Sequence, residues 1–160
     1  MELPAHKFLE ERGIPHRRLE FPAATEKGAA NVAHALGFPE AQAVKTLIFE
    51  TAAGERALVM LGGDRNAISG RLKRALGSRN IRLADPETVK AVTGYEIGSI
   101  PPFHWQPQGF RSIVDERLMR EEQLGVGAGV WGQEIMITPE NLVAACGGEV
   151  FDLSGNESAD

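Results

Sequence analysis

The order of apolar and polar residues along the chain predicts a mixture of short helices and short strands. Two β-rich apolar segments, 44–50 and 57–61, are separated by a short turn and predict a hairpin. Asp85-Pro86-Glu87 is the clearest helix start, because an Asp cap, a first-turn Pro and an acid all favour the N-terminus. Further helices are predicted at 5–12, 26–36 (capped by Thr25), 69–76 and 138–146, and further strands at 16–21, 95–97, 111–114, 124–130, 133–137 and 149–153.

These elements alternate irregularly, with hairpin-like pairs as well as longer crossovers. The pattern is typical of an α+β fold and not of a regular doubly wound sheet. With 160 residues and no repeat or linker, the chain predicts one domain over 1–153. Residues 154–160 are polar and acidic and predict a loose tail.

Composition narrows the possible classes of protein. The net charge of −5 argues against a protein that coats polyanions with its whole surface. No apolar run approaches the roughly 20 residues of a membrane span, so we expect a soluble, cytoplasmic protein. A single cysteine, Cys146, excludes an internal disulfide, and the four histidines lack metal-ligand spacing. We therefore expect neither a metal nor an organic cofactor.

Lys45 is the first residue that suggests chemistry. If 43–49 is a strand, Lys45 shares a face with Ala43, Leu47 and Phe49, which places a cation in an apolar row. The commoner interpretation is a lysine whose amine reaches water over its own alkyl chain. The functional interpretation is a charge fixed at a cleft, available to a phosphate or a developing oxyanion.

The segment 98–109 is the second candidate, with three prolines, two glycines and no formal charge. Pro101 and Pro102 make it stiff, so amides at Gly98 and Ser99 could be presented to a carbonyl oxygen. The alternative is a covering loop whose aromatic residues fill the core.

A third candidate is a run of basic residues without any acid. Such a run could follow a sugar–phosphate backbone, although a solvated helix face is the commoner explanation. The run comprises Arg65, Arg71, Lys73, Arg74, Arg79 and Arg82.

Five motifs, taken in order, resemble the YbaK/prolyl-tRNA synthetase-associated editing domain family over roughly residues 5–153. They are AHALG at 33–37, AVKTLIF at 43–49, ADP at 84–86, TGYEIGSIPP at 93–102 and IVDE at 113–116. The resemblance implies a curved, barrel-like mixed sheet surrounded by helices. It also implies a freestanding aminoacyl-tRNA deacylase that acts on the acceptor end of mischarged tRNA, with an aminoacyl-tRNA synthetase as a possible further partner.

The same resemblance assigns roles to residues. Lys45 is expected to be required for activity, and Gly98 and Ser99 to meet the ester carbonyl with their amides. The tRNA backbone would be held by Arg65, Arg71, Lys73 and Arg74. The pocket would be lined by Phe21, Thr25, Ile100, Pro101, Pro102 and His104.

Three of these positions depart from the family pattern: Ser99 and His104 replace glycines of relatives, and Phe21 replaces a tyrosine in some. The sequence contains no G-x-S-x-G elbow and no phosphate-binding loop motif, and Ser99 has no identifiable base. The family precedent is a water activated with help from the terminal ribose hydroxyl. Two other functions stay open: a non-catalytic module that binds an aminoacyl or nucleotide end, and a hydrolase of another small activated ester.

Overall fold

The computed structural model describes residues 1–155, which form five α-helices, eight β-strands and two 3-10 turns, at Glu40–Gln42 and Glu116–Arg120. The helices are α1 (Pro4–Glu11), α2 (Ala29–Leu36), α3 (Ser69–Leu76), α4 (Pro86–Thr93) and α5 (Pro139–Cys146). The strands are β1 (Arg17–Glu20), β2 (Val44–Thr51), β3 (Arg56–Gly62), β4 (Ile81–Leu83), β5 (Arg111–Asp115), β6 (Leu124–Gly127), β7 (Gln133–Ile137) and β8 (Glu149–Phe151).

The strands form two sheets. The larger has the order β4-β2-β3-β5-β8 and is mixed, since β2 runs antiparallel to β3 and β4 while β5 is parallel to β3 and β8. The smaller is antiparallel, with the order β1-β7-β6. A parallel bridge between Ala43 and Gly125 connects them. The predicted α+β class and mixed sheet are confirmed, although the sheets do not close into a barrel.

Two apolar clusters lie on opposite faces of the larger sheet, as the alternation of side chains along β3 requires. Leu58 and Met60 point into the larger cluster, which α1, α4, α5 and the smaller sheet cover. Val59 and Leu61 point into the smaller cluster, beneath α3. The face that carries Lys45 is therefore the α3 face, since Lys45 pairs with Leu61.

Two predicted helix starts are confirmed by their caps. The Asp85 carboxylate accepts a hydrogen bond from the Thr88 amide at 2.8 Å, and the Thr138 hydroxyl accepts one from the Asn141 amide at 3.3 Å. In both helices a proline occupies the first turn. These starts were predictable because all the interacting groups lie within four residues of one another.

Two predicted elements are wrong. Thr25 does not cap α2, which begins at Ala29 after Gly28, whose φ of +131° favours glycine; the Thr25 amide instead donates to the Pro22 carbonyl within a turn. Residues 95–97 form no strand, because the chain turns there before Gly98.

β4 was not predicted from the sequence. It has three residues, two of them exposed, and pairs with β2 at the edge of the sheet. Such a short, polar strand carries little alternation, so its pairing depends on a distant part of the chain.

The folded body extends past the predicted start of the tail. Ser154 is fully buried, and its hydroxyl donates to the Asp115 carboxylate at 2.5 Å. Gly155 is also buried, and the rest of the predicted tail, 156–160, lies outside the described residues. Among the helices of residues 1–155, none has the length and apolar character needed to cross a bilayer.

Candidate active site

Lys45 lies at the edge of the α3 face and is partly buried there. Its amine donates a hydrogen bond to the Asn66 side-chain oxygen at 3.2 Å. Burial lowers the pKa of Lys45 below its ordinary value, while the charge of Asp64 acts in the opposite direction. The amine is thus held by a hydrogen bond at the surface, while the rest of the side chain is partly buried.

One bridge joins the strand that carries Lys45 to the strand that packs against the proline-rich loop. Ala43 bridges Gly125 in the parallel direction. Lys45 and Gly127 each lie two residues further along, so they are on the same face as that bridged pair. Gly127 in turn packs against the loop: a Cβ placed on it would lie 3.1 Å from the carbonyl carbon of Ser99 and 3.2 Å from the Ile100 oxygen. Gly127 therefore contacts the 98–102 segment from the strand that bridges to the start of β2.

The loop offers one of the two amides that were predicted to meet a carbonyl oxygen. The Ser99 amide donates to the Glu96 carbonyl at 3.1 Å, which closes a turn and corrects the expected role of that amide. Among residues 1–155 no acceptor takes the Gly98 amide, and Gly98 is exposed with a φ of +94°. The Gly98 amide thus stays available to a ligand.

The rest of the loop is held rigidly. Ile100, Pro101 and Pro102 are buried, and the side chains of Trp105 and Gln106 donate to the carbonyls of Pro101 and Pro102 at 2.5 Å and 2.8 Å. Phe103, fully buried, stacks on Phe8 at a centroid distance of 5.6 Å. The inner half of this segment therefore fills the core, as the covering-loop interpretation predicts, while Gly98 remains exposed.

A group of contacting residues, here called the rim, includes Phe21, Thr25, Lys27 and Trp131 and reaches Gly98 through Lys27. The Trp131 indole donates to the Thr25 carbonyl at 3.1 Å and packs edge-on against Phe21 at 4.8 Å. The Lys27 amine lies 4.2 Å from the centre of the Trp131 ring. A Cβ placed on Gly98 would lie 3.9 Å from the Cδ of Lys27. Phe21 and Thr25 thus contact Trp131, and Lys27 lies between Trp131 and Gly98; the sequence analysis selected neither Lys27 nor Trp131.

His104 lies on the α1 side of the loop. Its Nε2 is hydrogen-bonded to the Tyr95 hydroxyl at 2.6 Å, and its ring centroid lies 6.3 Å from that of Phe8. Its φ of +79° lies in the left-handed region that favours glycine. These contacts make His104 a support of the loop.

Glu134 is a further residue that the sequence analysis missed. It is 6% exposed, on β7, and its pKa is raised well above the ordinary value by burial. Its Oε2 would lie 2.9 Å from a Cβ on Gly125, so the carboxyl and Gly125 share the face that carries Lys45. The sequence signal that could have identified it is an acidic residue within the mostly apolar strand 133–137.

The basic run divides into two groups. Arg71 forms an ion pair with Asp152 at 2.8 Å, and Arg65 donates to the Gly155 carbonyl at 3.1 Å, so the C-terminal segment engages both. Lys73 lines a different surface, a cavity of about 580 Å³, and Arg74 is exposed.

That cavity, here called the basic cavity, holds an excess of positive charge. Glu50 pairs with Arg56 at 2.8 Å and with Arg82 at 3.0 Å, and these hydrogen bonds lower the pKa of the Glu50 carboxyl. Lys73 and Arg79 have no acidic partner within residues 1–155. One carboxylate therefore faces four cations, which are Arg56, Lys73, Arg79 and Arg82.

Other chemistry has little support among the described residues. No group of three His, Cys, Asp or Glu side chains in residues 1–155 lies close enough to hold a metal ion. Burial raises the pKa of the Cys146 thiol to about 11, which disfavours the nucleophilic thiolate.

Three kinds of comparison point to the same group of proteins. Residues 24–145 match the family described as "Aminoacyl-tRNA editing domain". The chain is 23% identical over 154 residues to the Enterococcus faecalis protein named "Putative Cys-tRNA(Pro)/Cys-tRNA(Cys) deacylase EbsC", which covers 96% of this chain and 93% of that protein. It is 30% identical over 138 residues to the proline–tRNA ligase of Streptococcus thermophilus, covering 86% of this chain but 21% of the ligase.

A solved structure described as "a putative trans-editing enzyme for prolyl tRNA synthetase" superposes with a TM-score of 0.83 at 30% identity, covering 96% of this chain and 99% of that one. The family match spans most of the chain and includes Lys45, the 98–102 loop and Glu134. The resemblance inferred from the five motifs is confirmed. The chain belongs to the aminoacyl-tRNA editing domain family.

Proposed function

We propose that this protein is a freestanding, cytoplasmic aminoacyl-tRNA deacylase that hydrolyses the ester bond of mischarged tRNA. The observation that carries the proposal is the arrangement of Lys45, Gly127 and the 98–102 loop on one face of the joined sheets. A cation held by a hydrogen bond and an amide without an acceptor among residues 1–155, in a member of an editing family, support the proposal. Hydrolysis of an ester needs these groups more than it needs a strong protein nucleophile.

In the proposed reaction, water attacks the carbonyl carbon of the aminoacyl ester. The carbonyl oxygen gains charge and is stabilised by the Gly98 amide, while Lys45 holds the terminal phosphate or the reacting ester region. The bond between that carbon and the ribose oxygen then breaks, the ribose oxygen takes a proton, and the free amino acid leaves. The neighbouring ribose hydroxyl positions the water, which assigns general-base assistance to the substrate.

The pocket residues are proposed to limit the size of the aminoacyl group. Ile100, Pro101 and Pro102 are buried and braced by hydrogen bonds, so they form a stiff wall. Phe21 and Thr25 contribute to the rim through Trp131. Each methylene in an apolar pocket discriminates by about 1–3 kcal/mol, so steric exclusion of the correct, larger amino acid is the expected logic. His104 acts behind the wall, through Tyr95.

The basic cavity is proposed to bind the tRNA backbone together with the exposed Arg74. Lys73 and Arg79 carry charges without acidic partners in the described part of the chain, as phosphate contacts require. Arg65 and Arg71 lie outside this cavity and are engaged by the C-terminal segment.

A deacylation panel tests the proposal directly. Purified protein would be mixed in catalytic amount with Ala-, Ser-, Cys-, Thr- and Pro-tRNA. One relative is named as a Cys-tRNA(Pro) deacylase, and one solved structure is described as a trans-editing enzyme for prolyl tRNA synthetase. The first substrate to test is therefore tRNA(Pro) charged with the wrong amino acid. We expect many turnovers on at least one mischarged tRNA.

The panel also separates the alternatives. Tight binding with no more than one turnover would favour a non-catalytic module that recognises the aminoacyl end. Equal hydrolysis of substrates with a 2′-hydroxyl and with a 2′-deoxy terminal ribose would favour a hydrolase of other small activated esters. A prolyl-tRNA synthetase added to the reaction would show whether a partner enzyme increases the rate.

A further inference from the structure

Glu134 is a buried carboxyl at the candidate active site for which the proposed reaction has no use. It keeps 6% of its surface exposed, and the structure of residues 1–155 gives it no hydrogen-bond or ion-pair partner. The Phe38 ring and the Met136 sulfur converge with its Oε2 on one point above Gly125, at 2.8 Å, 3.2 Å and 2.9 Å from a Cβ placed there. A carboxyl among apolar groups without a partner is unfavourable, so its position needs an explanation.

The glycines of β6 allow other groups to pack closely against this part of the sheet. Gly125 and Gly127 point to the same face as Glu134, and Gly127 is the cross-strand neighbour of Glu134. A side chain at Gly125 would occupy the space next to the carboxyl oxygen. The glycine therefore allows the carboxyl to lie close to the backbone of β6, and 6% of the Glu134 surface stays exposed.

The position of Glu134 matches one part of an aminoacyl ester. Gly127 pairs directly with Glu134 across β6 and β7, while Lys45 lies two residues after Ala43, which bridges Gly125. The backbone of Ser99 and Ile100 covers Gly127. In an aminoacyl ester, only the α-carbon separates the α-amino nitrogen from the carbonyl carbon. If the carbonyl is held at the loop, the α-amino nitrogen can therefore lie on the side of Glu134.

We propose that Glu134 binds the α-ammonium group of the aminoacyl ester and so orients the ester carbonyl towards the Gly98 amide. This inference rests on the proposed deacylase function. A charge-assisted hydrogen bond from an ammonium group would give the carboxylate the partner that the protein does not provide. Lys45 cannot take this role, because its ammonium group has no acceptor and carries the same charge as the α-ammonium group.

Burial supports the assignment without carrying it. The raised pKa of the Glu134 carboxyl disfavours its charged form in the empty site, and a bound cation would favour that form again. Glu134 would then be charged mainly when a substrate amine is present.

Two non-hydrolysable ligands test the inference: 3′-alanylamino-3′-deoxyadenosine, which has a free amine, and its N-acetyl derivative, which has none. Binding to the full chain would be measured by titration calorimetry or by chemical-shift changes. We expect the native protein to bind the free amine at least 10-fold more tightly. The Glu134→Gln variant should bind the two ligands with affinities within about 2-fold of each other.

Glu20→Gln, on the neighbouring strand β1, is the matched control and should keep the native ratio. The inference would be overturned if the native protein bound the two ligands with equal affinity. It would also be overturned if folded Glu134→Gln kept the native ratio of the two affinities. A protein that prefers the free amine but hydrolyses no aminoacyl-tRNA contradicts the proposed function alone. A protein that hydrolyses Ala-tRNA and N-acetyl-Ala-tRNA equally well contradicts the role of Glu134 alone.

Discussion

The amine of Lys45 and the side-chain oxygen of Asn66 are 3.2 Å apart, although 21 residues separate them in the chain. The hydrogen bond restricts a long, flexible side chain on β2 to one direction. We expect Asn66→Ala to lower the deacylation rate by about 3- to 10-fold, the effect of a hydrogen bond worth roughly 1 kcal/mol. Asn141→Ala, in α5, is the control. A rate equal to that of the native protein would show that Asn66 does not position the amine.

The contact between Gly127 and the loop gives a second prediction. A Cβ at Gly127 would lie 3.1 Å from backbone atoms of Ser99, which cannot move as easily as the end of a side chain. Gly127→Ala should therefore displace the loop and lower kcat by about 10-fold or more. Gly70→Ala meets no atom within 4 Å in α3 and should stabilise the fold by roughly 0.5–1 kcal/mol with unchanged kcat. Equal kcat values for the two variants would contradict the role of Gly127.

The basic cavity gives a prediction about salt. Lys73→Glu and Arg79→Glu should each weaken binding of uncharged tRNA and reduce the slope of log affinity against log salt by about 0.7–0.9. Arg120→Glu makes the same change of charge in the 3-10 turn Glu116–Arg120 and should leave the slope unchanged. Slopes that match the native protein in all three variants would assign these cations to a solvated surface.

Cys146 should be chemically inert in the native protein. With a pKa of about 11, only about one thiol in a thousand is ionised at pH 8. We expect Cys146→Ala to retain full activity and iodoacetamide to react only slowly with the native chain, while the unfolded chain is labelled at the ordinary rate. Rapid inactivation of the native protein by the reagent would contradict this prediction.

Local signals in the sequence predicted much of the fold. The caps at Asp85 and Thr138 were predictable because donor, acceptor and proline lie within a few residues. The face that Lys45 occupies followed from the two-residue period of a strand. Thr25 was predicted as the cap because threonine is a common N-cap residue. The N-cap of α2 is instead Gly28, whose backbone conformation the sequence pattern did not reveal.

The parts of the site that were missed depend on distant contacts. Glu134 is significant because β6 supplies glycines opposite it, and Asn66 because the chain returns beside β2 after β3. The basic run divides because Asp152, about 80 positions after Arg71, folds back onto α3. No pattern within one segment records such pairings, so the grouping of these side chains required the structure.

Replacement of Lys45 tests the central claim most directly. Deacylation of the preferred mischarged tRNA would be measured in single turnover for the native protein, Lys45→Ala and Lys45→Gln, with folding verified by thermal unfolding. The account predicts that both folded variants lose at least about 100-fold in rate, as expected when a charge that stabilises the reacting group is removed. A rate within about 3-fold of the native value in either folded variant would contradict it.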